Sequence, residues 1–351
     1  MNITVKRSPS DSMSTIVTSN IRKIIRVGER SIGITIPKEW LNVLGLGIGS
    51  NVEVSLGSGY ILIKPLTATQ HRIIHSIKIK HEDPDALSRL IIAGYLEGYD
   101  IIVVEEVRDI VRKAFYPIAM RLPGAIAMDG TTFKIKISVD EANTDLNEVI
   151  SSMRSALNTM FDFLIDYFNT GDKDKLGEVV HLDDDLDRLH FLGIRAIKRT
   201  SFRDPPYSLD YAIVLKSLEH IGDSLDRVSN TLLNINLDTF QNSIECRNVF
   251  KDIFAKVSSY VSKSVNAFTT TNVNLAMKVL LGREEISREI LISIQKCINI
   301  HGVLAMAHEA INAIYEAAEI AEIATAKAIR AAGATHTETT SEGKHFQEPS
   351  E

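Results

Sequence analysis

The sequence predicts a multidomain protein: a small all-β head that pairs with a second copy, a small α/β connector, and an all-α trunk of two tandem three-helix bundles. Three observations carry this. Residues 20–66 show short strand patterns punctuated by glycine, and residues 70–140 alternate strand with helix. From about Asp140 onward the apolar residues recur at helical spacing, to about residue 332. A chain of 351 residues is long enough to give each of these parts a core.

Composition sets outer limits. Hydrophobic residues make up 44% and charged residues 24%, the balance of an ordinary folded protein. A formal charge of −6 excludes a protein that coats nucleic acid with its whole surface. The charge is unevenly spread: residues 1–65 carry +4 and the remainder −10, a basic head on an acidic body. No run of eighteen apolar residues and no signal-peptide core is present, so a cytoplasmic chain without membrane insertion is expected. Cys246 and Cys297, the two cysteines, each lie in an amphipathic helical run. That placement predicts buried free thiols, in keeping with a reducing cytoplasm.

Residues 1–19 are rich in Ser, Thr, Asp and Asn without periodicity and read as a disordered leader. Strand patterns follow at 21–27 and 31–36 across a turn at Gly28. Pro37 opens a short helix that Gly45 stops. Two further strands, 51–56 and 60–64, meet in a Gly-rich hairpin. Four short strands and one helical turn cannot close a core alone, so the head is expected to dimerise.

The connector, 70–140, reads β-α-β-α-β-β, with a hairpin turn at Asp129–Gly130, and is expected to link and pair subunits. Gly94 and Gly98 have the wrong spacing and position for a dinucleotide loop.

Helix breaks near Thr170–Gly171, Asp204–Pro206, Asn236, Thr270–Asn272 and His301–Gly302 divide the trunk into six long helices. Residues 167–180, YFNTGDKDKLGEVV, align with 267–280, AFTTTNVNLAMKVL, which predicts three-helix repeats over 141–236 and 237–332. The tail, 333–351, is polar and reads as disordered.

Two consecutive helices of the first repeat carry carboxylates where apolar residues would be expected. Glu219 and Asp223 stand one turn apart on one face, with Asp226 continuing the stripe. Asp183, Asp187 and His190 follow the same spacing on the preceding helix. A lone acidic pair usually marks a solvated face. Two facing stripes flanked by apolar residues instead predict a divalent cation between the helices, because like charges there need a positive answer and Arg227 lies off the stripe. Carboxylates suit magnesium or manganese, while His190 shifts the choice toward iron or zinc. In the second repeat Arg283 and Ser287 take the places of Asp183 and Asp187, and Ile311 and Tyr315 those of Glu219 and Asp223, so the site is confined to the first.

Two family resemblances rest on these stretches. GERSIGITIPKEWLNVLGLGIGSNVEV resembles the swapped-hairpin DNA-binding domain of the AbrB and SpoVT type. That resemblance implies a dimeric barrel made by two chains, with DNA contacts that map onto Arg22, Lys23, Arg26 and Arg30. The other reading of these four is a basic surface on a module that serves only to dimerise. LEHIGDSLDRV and DDDLDRLHFLGIRAI resemble the PhoU family of phosphate-uptake regulators, whose three-helix repeats hold metal through E/DxxxD motifs. This maps the ligands onto Asp183, Asp187, Glu219 and Asp223, with His190 and Asp226 as additions.

The function these imply is a non-enzymatic, DNA-binding regulator of phosphate uptake and homeostasis, working as a homodimer or higher homo-oligomer. Its trunk would sense phosphate status through a metal ion or a partner protein. The alternative is a metal-binding regulator of a phosphate transporter or sensor, with the head used only for dimerisation.

Overall fold

The computed structural model describes residues 4–7, 20–28, 31–56, 60–66, 74–200, 205–234, 240 and 243–334. The elements, in order, are β1 (Thr4–Arg7), β2 (Ile24–Arg26), β3 (Ile32–Ile34), α1 (Lys38–Val43), β4 (Val52–Leu56) and β5 (Ile61–Pro65). The connector holds β6 (Ser76–Lys80), α2 (Pro84–Leu96), β7 (Ile101–Val104), α3 (Arg108–Phe115), β8 (Ala125–Asp129) and β9 (Phe133–Ile137). The trunk is α4 (Leu146–Thr170), α5 (Asp174–Thr200), α6 (Pro205–Asn234), α7 (Ile244–Thr269), α8 (Val273–Ser293) and α9 (Val303–Ala334).

The head forms two separate two-stranded hairpins: β2 with β3, and β4 with β5. No described residue of 20–66 is buried. Ile24 is 71% exposed, Ile32 75% and Leu56 87%, so among the described residues the apolar side of these strands has nothing to pack against.

The connector sheet runs β1-β6-β7-β9-β8. β6 and β7 are parallel and joined through α2, and the remaining pairs are antiparallel. The hairpin is where the sequence predicts it, but its loop is residues 130–132: Asp129 ends β8 and pairs with Phe133. α2 starts on a side-chain cap, the Asp83 carboxylate accepting from the Ala86 amide at 2.8 Å, with Pro84 in its first position. Its Leu87, Ile91 and Tyr95 pack under Ile77, Ile79, Ile102 and Ile135.

The leader departs from expectation. Thr4–Arg7 pairs antiparallel with β6, Thr4 opposite Lys80 and Arg7 opposite Ile77. The edge of β6 offers a free row of backbone groups, and a short segment without proline can take them. The other leader residues and the tail beyond Ala334 lie outside the described residues.

The six trunk helices share one core, in which Phe168 stacks against Phe250 and Phe254 across the two repeats. The predicted breaks have local causes. Gly171 closes α4 at φ 77° and Gly302 precedes α9 at φ 86°. Asn272 caps α8, its side chain accepting from the Leu275 amide at 3.0 Å.

The cysteines correct the sequence reading. Cys246, in the first turn of α7, and Cys297, in the short 3-10 turn after α8, form a disulfide with their Cα atoms 5.8 Å apart. α7 and α8 are antiparallel neighbours, so the start of one meets the end of the other, and 51 residues of sequence separation hide the meeting. Free thiols therefore give no support to a reducing compartment. No helix among the described residues is long and apolar enough to cross a membrane.

Candidate metal centre and nucleic-acid interface

α5 serves three neighbours at once. Leu176, Val179 and Leu186 enter the trunk core, Phe191 enters the connector core, and Asp183, Asp187 and His190 face α6. Gly193 and Gly222 let the two helices close: a Cβ on Gly193 would stand 2.5 Å from Leu215, and one on Gly222 would stand 2.5 Å from Leu186 and 3.4 Å from the Asp183 carboxylate.

The structure brings Asp187, His190 and Glu219 together, one donor atom of each lying within 4.8 Å of the others. All three are buried. His190 Nδ1 lies 3.8 Å from Glu219 Oε1 and has no hydrogen-bond partner. A buried ring nitrogen without a partner, facing a carboxylate, suits a metal ligand, and two carboxylates complete a donor set for a divalent cation. Asp183, Asp223 and Asp226 continue the acidic groove along the same two helices. Asp226 accepts from the Asn230 amide at 2.9 Å at both oxygens.

Crowding of carboxylates shows in their acidity. Burial, then the charges of Asp187, Asp226 and Asp223, pushes Asp183 up to about 7, against the pull of Arg121. Burial likewise raises Asp187 to about 6, with Arg121 again opposing. Burial, helped by Lys216 and His220, pushes His190 down to about 3, so the imidazole is neutral and its lone pair available.

Two cations already answer the acids, and the sequence reading missed both. Arg121, in the 3-10 turn Ala119–Arg121 of the connector, donates to Asp184 at 2.6 Å and to Asp187 at 2.9 Å. Nothing in its sequence neighbourhood signals this, because the partners lie more than sixty residues away in another part of the fold. Lys216 bonds Glu219 at 2.7 Å, and its i,i+3 spacing was visible in the sequence. Arg227 is also corrected: it reaches Asp223 at 3.3 Å and Glu309 of α9 at 3.0 Å, because a long side chain spans from its own face to the next.

Beside the groove, α5 fastens the connector. Arg195 is fully buried; it donates from Nε to Glu141 at 2.8 Å and from Nη1 to the Tyr95 and Tyr99 carbonyls at 2.8 and 3.0 Å. Its guanidinium stacks over the Tyr95 ring.

At the other end of the chain, Arg22, Lys23 and Arg26 are exposed and form no ion pair among the described residues. Among the described residues, Arg26 donates to the Gly28 carbonyl, at 3.3 Å. Arg30 lies outside the described residues.

In the second repeat the equivalent groove is closed by other means. Arg283 lies over the Tyr315 ring at 5.0 Å, and Ser287 is buried with its hydroxyl unpartnered.

Comparison with known families fits this division. The PhoU domain matches residues 150–232, the first repeat and its whole acidic groove. The family described as antidote-toxin recognition MazE, bacterial antitoxin, matches residues 25–70, the head without Arg22 and Lys23. The chain thus carries a PhoU domain behind an N-terminal domain of MazE/AbrB type. No curated protein matches the chain.

Proposed function

We propose that this PhoU-domain protein is a regulator of phosphate uptake and homeostasis that docks on DNA through its head as a homodimer. A PhoU domain points to phosphate homeostasis and a MazE/AbrB-type domain to DNA binding, and both families are regulatory rather than catalytic. The observation that carries the reading is the head itself. Its strands bury nothing, leave isoleucines in water and place Arg22, Lys23 and Arg26 free of the acidic trunk. Interleaving with a second copy would cover the apolar side, and the basic side chains, with Arg30, would then neutralise phosphates.

The trunk is the sensing part in this reading. A divalent cation held by Asp183, Asp187, Glu219 and Asp223, with His190 and Asp226 beside them, or a bound transporter or sensor, would favour one arrangement of the two heads over another.

A mobility-shift titration against DNA upstream of phosphate-uptake genes tests the docking. Affinity should fall steeply with salt and drop in Arg26→Ala and Arg30→Ala; unchanged affinity in both variants would overturn it. A second reading, in which the head serves assembly alone and the trunk controls a transporter or sensor by contact, is favoured by one finding. The matched family is described by antidote-toxin recognition. Salt-independent partner binding by a chain that ignores DNA would decide for it.

A further inference from the structure

We propose that the open face of the connector sheet is a second contact for duplex DNA, holding the phosphate backbone without reading sequence through Lys134 and Lys136, with Lys78 and Lys80 beside them. The inference rests on the head as a DNA-docking module and goes further by giving the connector a part in the same complex.

The face follows from strand alternation. Ile77 and Ile79 of β6, Ile102 and Val104 of β7, and Phe133, Ile135 and Ile137 of β9 enter the connector core with α2 and α3. The residues between them point the other way. In register, one row across the sheet reads Ser76, Ile101, Lys136, Ile126, and the next reads Lys78, Val103, Lys134, Met128. Lys80 ends β6 on the same side. Among the described residues none of these side chains belongs to either apolar core, and Ile126, Met128, Lys134 and Lys136 are exposed.

Charge selects the partner. Residues 70–140 hold ten Lys and Arg against ten Asp and Glu, so the connector is neutral as a whole and this face gathers lysines on both sides of β7. Glu105 and Glu106, just past β7, lie 2.9 Å from Lys78 and 3.8 Å from Lys80. Exposed pairs of this kind give way to phosphate at small cost. Lys134 and Lys136 form no ion pair among the described residues. The same face of a second copy would bring lysine to lysine and be repelled. The two rows contain no aromatic residue, so unpaired bases find nothing to stack on. Ammonium groups on flexible stems act as point charges, which suits the backbone of a duplex.

The chain keeps the face near the head. β5 ends at Pro65 and β6 begins at Ser76, and the intervening residues 66–75 span at most about 35 Å when fully extended. That is the length of roughly ten base pairs, so DNA held by the head brings flanking phosphates within reach of the sheet.

The test uses the full chain. Lysine acetylation is mapped by mass spectrometry with and without duplex DNA, and affinity is measured across a salt series for the unaltered protein, Lys134→Gln with Lys136→Gln, and Arg26→Ala with Arg30→Ala. Duplex should shield Lys134 and Lys136 from acetylation. The lysine variant should lose roughly tenfold or more in affinity at about 0.1 M salt, equally for random and for upstream sequences, with a salt slope shallower by about 2. Both side chains are exposed, so its melting temperature should stay unchanged. Equal acetylation with and without duplex, or affinity and slope unchanged in the lysine variant, would overturn the proposal. So would shielding by phosphatidylserine vesicles in place of duplex, which assigns the face to a membrane surface. Shielding that follows protein concentration without DNA would overturn it too, by assigning the face to the acidic trunk of a second copy. Loss in the lysine variant with full affinity in the arginine variant rejects the head and keeps the sheet; the converse rejects the sheet and keeps the head.

Discussion

The two trunk repeats share a fold and differ in what they place between their last two helices. In the first, Asp183, Asp187, Glu219 and Asp223 line a groove into which an arginine from the connector reaches. In the second, Arg283 lies over Tyr315 and Ser287 is buried, while Cys246–Cys297 ties the first helix of the repeat to the turn after its second. Both contribute to one aromatic and aliphatic core. The backbone arrangement therefore depends on apolar spacing that the two halves keep, while the chemistry depends on a handful of positions that only one retains.

Matched substitutions sharpen this contrast. The largest effect is expected at Arg195 and its counterpart Gln295. Arg195→Ala removes the buried guanidinium from Glu141 and takes one donor from each of the Tyr95 and Tyr99 carbonyls, and should cost about 3–5 kcal/mol by chemical denaturation. Gln295 is exposed, and Gln295→Ala should stay within ~0.5 kcal/mol. Equal losses would erase the distinction between the repeats.

Next comes the disulfide. Cys246→Ser with Cys297→Ser, or reduction, should lower stability by about 2–4 kcal/mol. Exchange protection should fall first in α7 and α8. Protection lost equally in α5 and α6 would show that the repeats open as one body.

A smaller effect is expected from Asp183 in the presence of chelator. Its carboxyl, raised to about 7, holds a proton in the folded chain that the unfolded chain releases near 4, so stability falls as pH rises across that interval. Asp187, raised to about 6, acts in the same sense. His190, lowered to about 3, acts oppositely: the unfolded chain takes up a proton near 6.5 that the folded one refuses, and stability is lost as pH falls toward 3. Asp183→Asn should therefore raise the melting temperature at pH 8 by about 2–4 °C, the shift of ~1 kcal/mol in a unit of 150–250 residues, and by less at pH 5. A gain independent of pH would contradict the cause assigned to it. The smallest effect is expected at Arg283→Ala, which forfeits a partly exposed contact with Tyr315 worth about 0.5–1 kcal/mol.

Legibility in the sequence followed the range of the interaction. Helix ends at Gly171, Asn272 and Gly302 were readable because caps and glycines act within a few residues. The acidic stripes were readable because i,i+4 spacing places Asp183 with Asp187 and Glu219 with Asp223 on facing helices. Arg121, the Cys246–Cys297 bridge and the β1 pairing with β6 were not, since each joins segments whose meeting is fixed only by packing. The free-thiol reading failed for that reason: amphipathic surroundings describe a cysteine's burial and say nothing of what is buried beside it.

Phe191 and Arg195 reach from α5 into the sheet layer, one as a member of its apolar core and the other as a plug for the end of α2. A cut near residue 140 would therefore leave the sheet with an open seat and Arg195 without the Tyr95 and Tyr99 carbonyls to which it donates. The unit that can be excised, transplanted or exchanged between proteins is the sheet together with this helix, and any recombination that keeps one must carry the other.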